Sequence, residues 1–365
     1  MLNKKILMSG YFGYDNLGDE AILYSMVEGL RSIENVELTA LSANPQKTAE
    51  KFGIRAVERM RITTLLKEIK NCDIFISGGG SLFQDVTSKR SIYYYLAQLF
   101  LAKKVFKKKV MIYSQGIGPV TEESNRAKVA KAFNRLDKIN VRDKESKKEL
   151  LDMGVKKEIS VTADTVFMLE KPDKEFGREL LQKMGLDLQE QTIGISIRSW
   201  KDLDGKIVEE IKNTISHLQD SGVNIILLPF HHPGDLILSQ KVWESLPDRS
   251  KVHLLEEQLD EREMLSLIAN IDIMLSMRLH GLIFGVVAGA YPIAISYDPK
   301  VKSLMKEFGL STTSEVEKLD SSELISELED TLGELGKRKE KVGEIAERMR
   351  EKAIQNIELV KELLN

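Results

Sequence analysis

Short runs rich in apolar and β-branched residues alternate along this chain with longer stretches in which apolar side chains return every three or four positions. The first pattern reads as buried strands of a parallel sheet, the second as amphipathic helices packed on it. In the first half, strands are predicted over residues 6–9, 36–41, 73–77, 110–113, 139–142 and 159–162, with helices over 20–30, 63–70, 92–104 and 124–136. A charged segment with Pro172, residues 170–175, breaks the rhythm. After Gln191 the alternation resumes, with strands over 192–197, 223–228, 252–255, 272–275 and 292–295 and helices near 206–218, 261–269 and 281–288.

This order predicts an α/β protein of two Rossmann-like, doubly wound domains facing across a cleft. The first is expected to cover residues 1–169 and the second 191–312, with a linker and connecting helix at 170–190. Residues 313–365 are expected to be helical: Leu324, Leu328, Leu332, Leu335, Val342, Ile345, Met349, Ile357 and Val360 make a stripe on a charged background. Gly333 and Gly336 mark a break between two helices, and the stripe is expected to pack back on the domains.

A length of 365 residues agrees with two domains. Lysine plus arginine is 53 and aspartate plus glutamate 56, a net charge of −3 that argues against nucleic-acid binding through a global field. A single cysteine, Cys72, excludes an internal disulfide framework and any cysteine-built zinc or iron–sulfur site. No run of 18 apolar residues is present to span a bilayer, and the apolar start is too short for a signal peptide. A cytoplasmic address is the expectation.

Ligands of open parallel sheets bind beyond the carboxyl ends of the strands, where backbone N–H groups and helix N-termini converge. The first such loop is Gly10-Tyr-Phe-Gly-Tyr-Asp-Asn-Leu-Gly-Asp-Glu20, in which Asp15, Asn16 and Asp19 can accept hydrogen bonds from sugar hydroxyls. Its structural alternative is a helix from Glu20 capped by Asp19, a duty Asp19 can combine with ligand binding. The second loop, Ser77-Gly-Gly-Gly-Ser-Leu-Phe-Gln-Asp85, brings backbone close to a ligand at Gly79 and Gly80 and adds Gln84 and Asp85. It is neither a Walker loop nor a dinucleotide fingerprint. Gln115-Gly-Ile-Gly-Pro119 is a weaker signal of the same kind.

In the second half the constellation is Ser276-Met-Arg-Leu-His-Gly281, which sets Arg278 and His280 between a strand end and a helix N-terminus, a place for an anion. Lys300 follows the next strand within Ser296-Tyr-Asp-Pro-Lys300. Arg198 and Arg142 end two further strands. Four cations and a histidine describe a site for a small, multiply charged anion beside a polyhydroxylated partner. The pair His231-His232 lacks a third ligand at helical spacing, so neither a metal nor another cofactor is expected.

Together these motifs, in this order over about residues 1–310, resemble the polysaccharide pyruvyl transferases. The nearest likeness is the CsaB-type group, which prepares secondary cell-wall polymers for S-layer anchoring. The resemblance implies a GT-B-like fold with the acceptor on the first domain and phosphoenolpyruvate, the donor substrate, on the second. It also implies transfer of pyruvate to a sugar as a cyclic 4,6-ketal, in CsaB-type members on N-acetylmannosamine of a lipid-linked precursor. The family's functional arginine, histidine and lysine fall on Arg142, His280 and Lys300. A GT-B glycosyltransferase using a nucleotide sugar is a second reading of the same cleft, and a non-catalytic sugar-binding protein a third.

A lipid-linked acceptor raises the matter of where such a protein meets the inner leaflet. Residues 92–101 are aromatic and apolar, and Lys103, Lys104, Lys107, Lys108 and Lys109 follow, a composition suited to peripheral contact with an anionic membrane surface. The alternative is a buried helix followed by a solvated basic turn.

Overall fold

Strand β1 (Lys4–Ser9) exposes its two lysines and buries everything from Ile6 onward. It lies inside a wound parallel sheet, because the chain adds strands first on one side of it and then on the other. The computed structural model describes residues 3–86, 91–219 and 221–364. These divide into two units, residues 1–169 with 349–365 and residues 170–348.

In the first unit β1 is followed by α1 (Leu17–Arg31), β2 (Val36–Ser42), α2 (Pro45–Phe52), β3 (Arg55–Glu58), α3 (Ile62–Asn71), β4 (Ile74–Gly78) and α4 (Ser91–Phe100). A π-helical turn, Leu101–Val105, extends α4. Then come β5 (Lys109–Gln115), α5 (Glu123–Phe133), β6 (Lys138–Val141), α6 (Lys144–Asp152) and β7 (Ser160–Val161). The strand order is β3-β2-β1-β4-β5-β6-β7. Winding reverses between β1 and β4, so the loops after those two strands flank the switch point where such sheets bind ligands.

The second unit repeats the plan: α7 (Glu175–Lys183), β8 (Thr192–Ser196), α8 (Asp204–Gln219), β9 (Asn224–Leu227), α9 (Gly234–Ser245), β10 (Val252–Leu254) and α10 (Glu261–Ile268). It continues with β11 (Ile273–Ser276), α11 (Leu279–Ala288), β12 (Tyr291–Ser296), α12 (Pro299–Phe308), β13 (Ser314–Glu315), α13 (Ser321–Gly333) and α14 (Leu335–Leu364). The order β10-β9-β8-β11-β12-β13 puts the switch point between β8 and β11. Helix α7 packs on α10 so closely that a side chain at Gly177 would strike the Ser266 carbonyl.

Several elements differ from the sequence expectation for local reasons. Helix α1 starts at Leu17, not Glu20, because the Asn16 side chain accepts from the Gly18 N–H and caps it. Strand β3 carries no fully buried residue, so its composition gave no alternation to detect. The tail helices do break between Gly333 and Gly336, at Glu334, although α14 then runs unbroken through Gly336. Its residues from Met349 belong to the first unit, where Ile357 and Val360 are buried. There the Asn356 side-chain carbonyl accepts from Asn140 Nδ2 at 2.5 Å and Thr162 Oγ1 at 2.6 Å. Among the described residues no helix is long and apolar enough to cross a membrane.

Candidate active site

In the first unit the loop after β1 turns back on itself. Gly13 adopts a left-handed φ of 80°, and a side chain there would strike the Ser42 hydroxyl. Its N–H donates to Glu20 Oε1 at 2.8 Å, so a buried carboxylate of α1 holds the loop. Of the residues expected to meet sugar hydroxyls, Asn16 is used as the α1 cap and Asp15 accepts from Lys47 Nζ at 2.7 Å. Asp19 stands in the first turn of α1 with its Oδ1 beside Gly80. The loop after β4 needs its glycines: Gly79 and Gly80 have φ of 64° and 66°, and a side chain at Gly79 would overlap Ile22.

Asp85 answers differently from its sequence reading. Its Oδ1 accepts from the Thr121 N–H and hydroxyl at 2.8 and 3.0 Å, and its Oδ2 from the Glu122 N–H and Asn125 Nδ2 at 3.1 and 3.0 Å. Burial would raise this carboxyl, but the hydrogen bonds, led by the Thr121 amide, outweigh it and hold the pKa down at about 2. With all four acceptor positions filled, Asp85 anchors the segment leading into α5. Gln84 Oε1 accepts from the Val86 N–H at 2.9 Å within the same loop.

Arg59, which follows β3, was not among the expected residues. It is 5% exposed. Nη1 donates to the Gly10 carbonyl at 2.9 Å and Nη2 to the Tyr95 hydroxyl at 3.1 Å. The rings of Tyr94, Tyr14, Tyr11 and Tyr95 surround the guanidinium at 5.0, 5.2, 5.8 and 5.8 Å. Above it Tyr11 and Tyr14 stack at 4.3 Å with both rings exposed. Burial pushes the Tyr95 phenol up to about 12. The one hint in the sequence was three tyrosines in succession, Tyr93 to Tyr95, on α4.

Arg142, at the end of β6, is buried. Its Nη1 donates to Asp164 Oδ2 at 2.8 Å and Nη2 to Ser81 Oγ at 3.3 Å, with Asp143 Oδ2 3.6 Å from Nε. Gly116 leaves the space it passes through, since a side chain there would meet the guanidinium. Asp164 is the counter-charge that the sequence did not single out.

The second unit gathers its candidates on the carboxyl edge of one sheet. Arg198 follows β8, Arg278 and His280 follow β11, and Lys300 follows β12. Arg198 Nη1 donates to the Tyr297 hydroxyl at 3.1 Å, and its guanidinium lies 4.7 Å from that ring. Lys300 Nζ lies 5.6 Å from the same ring and 3.5 Å from Asp298 Oδ2. Asp298 also caps α12 by accepting from the Lys300 N–H at 3.0 Å.

Arg278 precedes α11 and is gripped by buried Asp235 through Nε at 2.8 Å and through Nη2. Asp235 stands in the first turn of α9, just after His231-His232-Pro233, where it also accepts from the Phe230 N–H at 3.2 Å. Burial pushes His231 below its ordinary pKa, the Arg278 and Arg198 charges add to this, and Asp235 opposes it. His280 lies in the first turn of α11, and Gly281 beside it lets the helix close on β11, since a side chain there would sit 2.3 Å from Ser276 Oγ. Among the described residues no group of three or more His, Cys, Asp or Glu is placed to hold a metal.

Two Rossmann-like units, each a wound parallel sheet with polar loops at its switch point, define an α/β protein of the GT-B class of folds. The family model for polysaccharide pyruvyl transferases matches residues 16–299, and the chain belongs to that transferase family. It is 21% identical over 281 residues to the amylovoran biosynthesis protein AmsJ of Erwinia amylovora, covering 73% of this chain and 66% of that protein. The chain thus spans just under two thirds of that relative's length. In fold it is similar to a putative UDP-N-acetylglucosamine 2-epimerase from Listeria monocytogenes, with a TM-score of 0.70 at 16% identity over 99% of this chain and 97% of that one. It is also similar to Anabaena Alr3699/HepE in complex with UDP-glucose, with a TM-score of 0.64 at 13% identity over 99% and 98%.

Proposed function

We propose that this protein transfers the pyruvyl group of phosphoenolpyruvate to two hydroxyls of a sugar, forming a cyclic ketal and releasing phosphate. Family membership supports pyruvyl transfer in polysaccharide synthesis. The observation that carries the donor is the row Arg198, Arg278, His280 and Lys300 along one carboxyl sheet edge. Phosphoenolpyruvate carries a carboxylate and a phosphate, and charge-assisted hydrogen bonds from arginine and lysine recognise both. Arg198 and Lys300, both close to the Tyr297 ring, are the anion-binding pair of this reading. Arg278, fixed by Asp235, is a positioning residue that orients the entry to α11. In the first unit Asp19, Gly79, Gly80 and the Tyr11–Tyr14 pair serve the acceptor sugar.

His280 is the general acid and base of the proposed reaction. A proton delivered to the methylene carbon makes a methyl group and leaves an oxocarbenium-like C2. One sugar oxygen bonds to C2, the C2–O bond to phosphate breaks, and the second sugar oxygen closes the ketal. Of the two hydroxyl protons, one replaces that given to the methyl carbon and the other leaves with phosphate. The acceptor of this reading is N-acetylmannosamine of a lipid-linked cell-wall polymer precursor, and no cofactor enters the balance.

Phosphate release from phosphoenolpyruvate tests it, with and without a β-linked N-acetylmannosamine on a lipid-like carrier. The expected result is acceptor-dependent release that falls at least ~100-fold in His280→Ala. Near-normal release by that variant removes His280 from the chemistry. Turnover of a nucleotide sugar in place of phosphoenolpyruvate replaces the reading with glycosyl transfer.

A further inference from the structure

Helix α4 turns two different faces to its surroundings. Tyr94 and Tyr95 point into the Arg59 cage, whereas Tyr93, Ala97 and Phe100 recur at helical spacing on the outer face. Tyr93 is 46% exposed, Phe100 56%, and Val105 in the following π-helical turn 51%. Beside them lies α5, which presents Lys128 and Lys131, with Arg135 in the turn that follows it. The two helices enclose a groove of about 400 Å³ with an apolar floor that includes Leu96, Leu99 and Leu136. Lys103, Lys104, Lys128, Lys131 and Arg135 ring it.

We propose that this face docks on the surface of an anionic bilayer. Charge complementarity selects that occupant. The chain as a whole carries −3, yet five cations collect here around exposed aromatic and aliphatic groups. Lys103 is paired with Asp137, at 2.5 and 2.6 Å, so Lys104, Lys128, Lys131 and Arg135 carry the net positive charge of the face. Lys128 lies 4.8 Å from the Tyr93 ring, whose hydroxyl donates to Asn125 Oδ1 at 2.9 Å. That ring is braced on the surface rather than folded under it. Half-exposed aromatics beside lysine and arginine are the composition of an interfacial anchor, in which rings enter the headgroup layer and cations meet lipid phosphates. Because α4 also carries Tyr94 and Tyr95, the same helix would hold the first unit's tyrosine-lined loop close to the lipid surface. The proposal stands whichever sugar or donor the protein uses.

The full chain is sedimented with vesicles of phosphatidylcholine alone and of phosphatidylcholine mixed with phosphatidylglycerol. The wild type is expected to bind only the anionic vesicles and to be released by added salt. Lys104→Glu/Lys131→Glu/Arg135→Glu is expected to weaken binding at least ~tenfold. Phe100→Ser/Val105→Ser is expected to weaken it several-fold while keeping the wild-type melting temperature. No binding, equal binding to both vesicles, or equal binding by the variants overturns the proposal. So does a wild-type dimer that the substitutions convert to monomer, since the face then belongs to a second copy of the chain.

Discussion

Asp235 holds Arg278 by two hydrogen bonds, one of them from Nε at 2.8 Å, and so ties the N-terminus of α9 to that of α11. Both groups are largely withdrawn from water, the carboxylate almost completely. Removing one partner of such a pair leaves the other as an uncompensated buried charge, at a cost of roughly 3–5 kcal/mol when burial is complete. Asp235→Ala is therefore expected to lower stability by about 2–4 kcal/mol in chemical denaturation. Arg278→Lys, which cannot reproduce the fork, is expected to lose most of the same stability. An Asp235→Ala protein as stable as wild type would show that the pair does not lock the two helix ends.

Arg142 and Asp164 form the corresponding buried pair of the first unit, at 2.8 Å. Asp164→Ala and Arg142→Ala are each expected to destabilise by about 3–5 kcal/mol. A double-mutant cycle should recover much of the loss, because the double variant leaves no lone charge. Additive losses would mean that the two side chains act separately.

The Asp85 network predicts a pH dependence with a definite sign. The folded pKa, about 2, lies below the ordinary carboxyl value of 3.8, so the folded state favours the ionised form. This contribution is fully present above pH 4 and is lost as the pH falls from about 4 through about 2. Its size is about 2 kcal/mol. Asp85→Asn should therefore be less stable than wild type at pH 7 by about that amount, and the gap should narrow as the pH drops below 4. Urea titrations at several pH values measure it, and a gap that stays constant or widens in acid contradicts the assignment.

Arg59 supports the exposed Tyr11–Tyr14 pair from below. Arg59→Met keeps the bulk but leaves the Gly10 carbonyl and Tyr95 hydroxyl without their donor. It is expected to cost about 2–3 kcal/mol and to speed amide hydrogen exchange in residues 10–16. If Tyr11 and Tyr14 hold the acceptor sugar, Arg59→Met raises KM for the acceptor and leaves KM for the donor unchanged. A change in donor KM alone would separate the cage from acceptor binding.

Gly281 sets the distance between α11 and β11. Gly281→Ala forces a side chain to within 2.3 Å of Ser276 Oγ and should destabilise by about 1–3 kcal/mol, with a fall in kcat as His280 moves. Adding Ser276→Ala relieves the closest contact and should restore part of both. Full activity in Gly281→Ala would show that the helix position is not critical.

Much of the architecture was written in local pattern. Runs such as 74–77 and 292–295 are buried on both faces, so their apolar character announced β4 and β12, and the alternation with helices announced two wound sheets. The candidate residues Arg198, Arg278, His280 and Lys300 were legible for the same reason: each follows a strand, and position after a strand is a property of the one-dimensional chain. What the sequence could not settle is what each polar group touches once the sheets form. Asp85 looked like a ligand-binding carboxylate, but its four hydrogen bonds come from residues 36 to 40 positions away. Arg59 followed a half-exposed strand with no alternation, and its partners at Gly10 and Tyr95 lie 49 and 36 residues distant. Asp164 and Asp235 found their arginines 22 and 43 residues away. Hydrophobic periodicity is set by the few residues of one helical turn or one pleat, whereas burying a charge requires a partner that only the packed chain brings within hydrogen-bonding reach.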